Sequence, residues 1–283
     1  PYPLGVEGKL DRDRIENAFR KLIERHESFR TSFEIISDDP VQRIRKEVNF
    51  KIEYCDLDSP VEGHTSMSKD RYPNRPAYSP EEIINDFIRP FDLSQPPLFR
   101  VGVIKTESKT FLMVDMHHII SDGISLGIML KDFMILFEGE ELASLRIQNK
   151  DFAEWQNLEV IKNKIKKQEE YWVKQFEKGV PELDLPIDYP IPAAPNFIGG
   201  QFYFEIDKNK TKRLNEVAVN EGVTMFMVIL AVHNILLSKL TGQEDITVGV
   251  GVDIRKDEEQ QKIIGMFINT LVLRNYPRGE KVF

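Results

Sequence analysis

A chain of 283 residues, 41% hydrophobic and 30% charged, carries enough apolar material for one large domain or two lobes and has the balance of a globular protein. Its formal charge of −8 excludes a general phosphate-binding surface, so nucleic acid is not an expected partner. The single cysteine, Cys55, excludes an intrachain disulfide, and the longest apolar run, Met225 to Val232, is too short to cross a bilayer, so a cytoplasmic setting without a membrane partner is expected.

The N-terminal stretch PYPLGVEGKLDRDR lacks both a signal-peptide layout and an initiator Met, which suggests a piece of a longer chain. In RDRIENAFRKLIERHE, residues Ile15, Ala18, Phe19, Leu22 and Ile23 repeat at helical spacing. SFRTSFEII puts Phe29, Thr31 and Phe33 on one face of a strand, and VNFKIEY does the same with Val48, Phe50, Ile52 and Tyr54. Ser79 to Glu82 reads as a capping box that opens a helix ending at Pro90. LFRVGVIK and TFLMVDMHH read as two core strands joined through TESK in a hairpin. Ser125 to Phe137 is apolar almost all round and is expected as a buried helix stopped by Gly139, with a longer helix over Asp151 to Lys178 stopped by Gly179.

Five prolines between Pro181 and Pro195 then break the pattern, as neither helix nor central strand tolerates that density. Beyond them come a strand (QFYFEI), helices around Thr211–Val219 and Thr224–Leu240, the second capped by Gly242, and strands in DITVGVGV and FINTLVLR. Mixed strands and helices on both sides of a linker predict two α/β lobes: residues 1–180, a linker over 181–198, and residues 199–283.

The stretch DMHHIISDGISLG concentrates chemistry, holding two of the chain's five histidines. If the strand runs through both, His117 and His118 point to opposite sides, so one works in a cleft and the other supports it. Three readings stay open: metal binding by His117, His118 and Asp122, for which adjacent strand histidines diverge; an ordinary polar strand end; and acid–base chemistry by one imidazole that titrates near neutrality. Gly123 favours the third, because it permits a sharp turn and leaves backbone N–H groups at the start of the helix near Ser125, where they suit an oxyanion.

MHHIISDGIS resembles the HHxxxDG motif of nonribosomal peptide synthetase condensation domains, members of the chloramphenicol acetyltransferase-like acyltransferases. RHESFRTSF (Arg25 to Phe33) resembles the family's RHExLRTxF, with Phe29 replacing Leu; KDFAEWQ (Lys150 to Gln156) is similar to its DYAVWQ-type motif; IGMFINTLVLR (Ile264 to Arg274) is similar to IGxFVNTxxxR. The motifs stand in family order. One family motif falls before Pro1 and two after Phe283, so the resemblance implies a piece truncated in its C-terminal lobe.

The resemblance implies a two-lobed chloramphenicol acetyltransferase-like α/β fold with a V-shaped cleft, and amide-bond formation between two thioesters on upstream and downstream peptidyl carrier proteins, with an adenylation domain adjacent. No directly bound cofactor or metal is implied; the substrates arrive on the carriers' phosphopantetheine arms. His118 matches the histidine that takes a proton from the attacking amine or orients it. His117, Gly123, Arg25 and Arg30 match supporting positions. Asp122 is expected to pair with an arginine, Arg255 or Arg30, rather than to orient His118. Asn269 and Ser125 are the cleft candidates. Trp155 and Trp172 are expected as packing residues, and IKNKIKKQEE as a solvated helix face. An L-configured donor fits HHIISDGIS. An epimerisation domain, a free-standing acyltransferase using CoA or a carrier, and a silent docking module are the alternatives.

Overall fold

A computed structural model describes residues 2–6, 11–56, 86–105, 110–190, 199–200 and 202–279. The expected capping box at Ser79–Glu82, the turn at 106–109, and Pro192 and Pro195 lie outside them. Contacts divide the chain into two compact units, Pro1–Lys166 with Asp253–Ile268, and Lys167–Val252 with Asn269–Phe283. The stretch 253–268, expected in the second lobe, packs with the N-terminal unit because its polar groups are bonded there.

In the first unit, β1 (Tyr2–Val6) is followed by α1 (Arg12–Arg25). The Asp11 side chain accepts the N–H groups of Asp13 and Arg14, satisfying two donors that a helix start leaves free. The five residues picked out by helical spacing are the five that α1 buries. A 3-10 turn (Glu27–Arg30) leads into β2 (Thr31–Ile36), which pairs with β3 (Asp39–Ile44). Ser37 and Asp38 join these strands with φ of 53° and 69°, the double positive φ of a tight hairpin turn that matches strand twist.

Strands β4 (Glu53–Asp56), β5 (Phe99–Lys105) and β6 (Thr110–Met116) complete a sheet with β1, in the order β1-β6-β5-β4. The expected β5–β6 hairpin is antiparallel, with Val101 opposite Val114. Side chains alternate between its faces. Val101, Val103, Leu112 and Val114 join the core with α1 and α2 (Gly123–Phe137), while Ile104 and Met113 pack with Cys55 and Phe87 on the other face. Two helices follow, α3 (Asn149–Gln156) and α4 (Glu159–Gln175).

The second unit contains α5 (Lys208–Asn220), α6 (Met225–Thr241), β7 (Ile246–Asp253) and β8 (Ile268–Asn275), with the two strands paired. Asp207 and Thr224 cap the helices, and Gly242 ends α6 at φ 71°, a left-handed position that glycine reaches without penalty. Arg274 on β8 grips both oxygens of Asp245 at 2.9 and 2.6 Å and donates to the Gln175 carbonyl. Among the described residues, no single helix is long and apolar enough to cross a membrane.

Several expectations are corrected. Residues 48–52 are not strand; only Glu53–Asp56 pair, although Ile52 is buried and Val48, Phe50 and Tyr54 still pack on the core. The helix expected over 151–178 is broken at Asn157, whose side-chain amide turns back to the Ala153 carbonyl. Helix α2 is not buried all round: Met129, Phe133 and Leu136 face the core, while Met134 is exposed. Residues 202–206 are not strand, because none of the described strands pairs with them, and Phe202 is 88% exposed. Both tryptophans pack against neighbouring rings, though outside the buried core: Trp155 stacks on Phe152 while remaining exposed, and Trp172 is half-buried against Tyr171.

Candidate active site

Strand β6 ends at Met116, so strand alternation does not govern the two histidines. The chain turns at His117 into a 3-10 turn, His118–Ile120, and then into α2. His117 is fixed at every polar point of its backbone. Its N–H donates to the Leu98 carbonyl at 2.9 Å, and its carbonyl accepts from the Ile120 N–H and the Ser121 hydroxyl, both at 3.1 Å. Its ring Nδ1 accepts the Ile119 N–H at 3.0 Å, and the Phe91 ring lies edge-on at 6.0 Å. His118 begins the turn with its imidazole exposed.

The aspartate three residues after Ile119 is buried and fully engaged. Arg255 Nη1 lies 2.9 Å from Asp122 Oδ2 and Nη2 lies 3.2 Å from Oδ1, with both side chains at 0% exposure. The Ser125 N–H donates to Oδ1 at 2.7 Å, which caps α2, and the Phe267 N–H donates to Oδ2 at 2.9 Å. Burial pushes the Asp122 carboxyl up, but Arg255 and then the N–H groups of Ser125 and Phe267 reverse the effect and hold it below its usual value. The guanidinium also meets Asp253 at 3.0 Å and the Ser125 hydroxyl at 3.0 Å, and lies over the Phe267 ring.

Asp122 therefore selects Arg255. Arg30, the other candidate, donates instead to the carbonyls of Ile23 and Arg45 and supports the 3-10 turn before β2. Ser125, expected at the cleft, is fully buried; its hydroxyl donates to the Gly265 carbonyl at 2.8 Å and accepts from the Gly265 N–H at 3.1 Å. Gly123 is exposed, and a Cβ there would meet no neighbour within 4 Å, so no turn or close approach demands glycine. The helix start is likewise not an open oxyanion site at Ser125, whose N–H is committed to Asp122. Asn269, in the second unit, is exposed and accepts the Thr270 N–H.

Sequence reading missed a second brace. Asp132, on the core side of α2, meets Arg25 Nε at 2.8 Å and His26 Nε2 at 2.9 Å. Burial depresses the His26 pKa despite the favourable Asp132 carboxylate, so this imidazole is held neutral. An acidic residue, Asp132, on the buried side of a largely apolar helical run was the available signal. Also missed was the seat of residues 264–267: the Ser28 hydroxyl donates to the Ile264 carbonyl at 2.5 Å, and an added Cβ at Gly265 would collide with the Asn149 amide and come within 2.7 Å of the Phe267 ring. The HHIISDG loop, α2 and residues 254–267 thus form one polar-bonded block that presents an exposed His118.

Comparison with known proteins places the chain in a family. A family model described as the condensation domain matches residues 1–283. Gramicidin S synthase 2 of Aneurinibacillus migulanus is 47% identical over 284 residues, covering 100% of this chain and 6% of that protein. Bacitracin synthase 2 of Bacillus licheniformis is 43% identical over 284 residues, covering 100% and 10%. The chain thus spans a small part of these relatives. Among solved structures, the condensation domain from the Monacolin K polyketide synthase MokA has a TM-score of 0.75 at 19% identity, covering 97% of this chain and 61% of that one. The expected chloramphenicol acetyltransferase-like α/β class is the one observed. With the whole length matched by that family model, the chain belongs to the condensation-domain family.

Proposed function

We propose that this chain forms part of a multidomain peptide synthetase and joins a donor aminoacyl or peptidyl thioester to the amine of an acceptor aminoacyl thioester. Both substrates ride on phosphopantetheine arms of partner carrier proteins, upstream and downstream, with an adenylation domain adjacent. The observation that carries the reading is the exposed His118 imidazole on a turn whose flanks are immobilised by His117 and by the Asp122–Arg255 pair. The relatives named above support it, because Gramicidin S synthase 2 and Bacitracin synthase 2 contain a similar stretch.

The acceptor amine attacks the donor carbonyl; a C–N bond forms and the C–S bond breaks. The amine must lose a proton and the departing thiolate must gain one. His118 accepts the first proton and supplies the second, so no net acid or base is consumed. Asp122 takes no proton: Arg255 holds it ionised, and its oxygens are occupied. Carrier tethering supplies the encounter, because two held reactants react as one molecule. Asn269 is proposed to face the substrates, and an L-configured donor fits the HHIISDGIS form. In the intact synthetase, His118→Ala is expected to slow dipeptidyl thioester formation between loaded carriers by about two to four orders of magnitude. Equal rates for the wild type and a folded His118→Ala would sink the reading.

A further inference from the structure

We infer that His117 is a positioning residue that acts through the lone pair of its ring Nδ1, capping the 3-10 turn that carries His118. The inference rests on the reading of His118 given above, and it concerns what sets that imidazole in place.

A helical turn begins with backbone N–H groups that have no partner within it, and these are normally met by the oxygen of Ser, Thr, Asp or Asn. The His118–Ile120 turn is capped by an imidazole instead. His117 has the extended backbone of a cap residue (φ −68°, ψ 135°), and its Nδ1 accepts the Ile119 N–H at 3.0 Å. A ring nitrogen that accepts carries no hydrogen, so the neutral ring holds its proton on Nε2.

The ring is held for this task from outside the turn. Phe91 meets it edge-on at 87°, and the Arg100 guanidinium lies 3.6 Å over the Phe91 ring while bonded to Asp115 at 2.9 Å. The His117 N–H is tied to Leu98, just before β5. The residue thus transfers the rigidity of the β5–β6 hairpin to the turn. Without the cap, the N–H of the peptide between His118 and Ile119 loses its bond to His117, and the His118 ring loses a fixed starting direction. Reacting groups tolerate little misplacement, so the penalty falls on the chemical step rather than on substrate capture.

The chemistry of the cap selects the test. Asn places its side-chain oxygen at the δ position, where Nδ1 stands, and is a good cap residue; Gln places its oxygen one bond farther, and Ala has none. In the intact synthetase, His117→Ala and His117→Gln are expected to lower kcat about ten- to a hundredfold with KM for the loaded acceptor carrier unchanged. His117→Asn is expected to restore kcat to near the wild-type value. Long-range proton–nitrogen NMR of the 283-residue chain, labelled at histidine nitrogen, is expected to show His117 Nδ1 bare and Nε2 protonated. This measurement stands even if His117→Ala fails to fold. Wild-type kcat in both His117→Ala and His117→Gln, or a protonated Nδ1 in the neutral ring, would overturn the inference. If His118→Ala is slow in the same assay, the proposed function survives that outcome; if His118→Ala is also as fast as wild type, it is the function reading that fails.

Discussion

Arg255 grips both oxygens of Asp122 with neither side chain exposed, and so ties the start of α2 to the segment that follows β7. A buried pair of this kind stabilises little relative to an apolar substitute, but breaking one side leaves an uncompensated charge. Asp122→Ala is expected to lower unfolding free energy by about 3–5 kcal/mol. Asp122→Ala combined with Arg255→Met is expected to cost less than the sum of the singles, since no charge is then stranded. Denaturant unfolding of the four proteins checks this; additive losses would show that the two residues are not coupled.

Acid is expected to remove stability in two stages. His26 is held neutral by burial against the opposing pull of Asp132, below its usual value of 6.5. The unfolded chain therefore binds that proton first. Its contribution is whole above about pH 6.5 and declines as the pH falls toward the folded-state value. Asp122 and Asp132 are both held below their usual 3.8, Asp132 against burial by its bonds to His26 and Arg25. Their contribution is present above about pH 4 and is lost below it. Urea midpoints followed from pH 8 downward, at about half-unit steps, should show both stages. His26→Gln should abolish the upper one, and an undiminished upper stage in that variant would remove His26 as its source.

Gly265 is required by space. An added methyl would meet the Asn149 amide and the Phe267 ring. Gly265→Ala is expected to cost about 1–3 kcal/mol. Shortening Asn149 to Ala in the same chain should recover part of that loss, though not the part due to Phe267. If Gly265→Ala melts with the wild type, residues 264–267 are not seated as described.

Gly242 is required by conformation rather than space, since it ends α6 at φ 71° and a Cβ there would meet nothing. Gly242→Ala is expected to cost about 1–2 kcal/mol, the usual strain of a left-handed L-residue. Gly242→Asn should cost less. Thermal melts of the two variants give the order; Ala equal to Asn would argue against a left-handed cap.

Much of the architecture is legible in the chain itself. Five apolar residues at helical spacing are the buried face of α1, the β5–β6 hairpin follows its two apolar runs, and Gly242 ends α6 where periodicity stops. These features are local: a period of 3.6 or 2, or a residue with special φ, acts within a few positions. Condensation-family membership was legible for the same reason, because its motifs are short strings. The pairing of Asp122 was narrowed to two arginines, and the chain alone offered no way to choose between them.

That choice belongs to tertiary structure, because Arg255 lies 133 residues from Asp122 and only packing brings them together. The same holds for His26 and Asp132, and for the Ser125 hydroxyl and the Gly265 backbone, which look unrelated until the helices and the 254–267 segment close around them. Strand pairing is likewise non-local: residues 202–206 have strand-like side chains, yet they belong to none of the described sheets and are irregular. At the histidines, the alternation rule failed because β6 ends at Met116, two residues short of the His118 that the strand was expected to reach. There the Leu98 carbonyl and the Ile119 N–H capture His117, a competition between hydrogen bonds that periodicity does not encode.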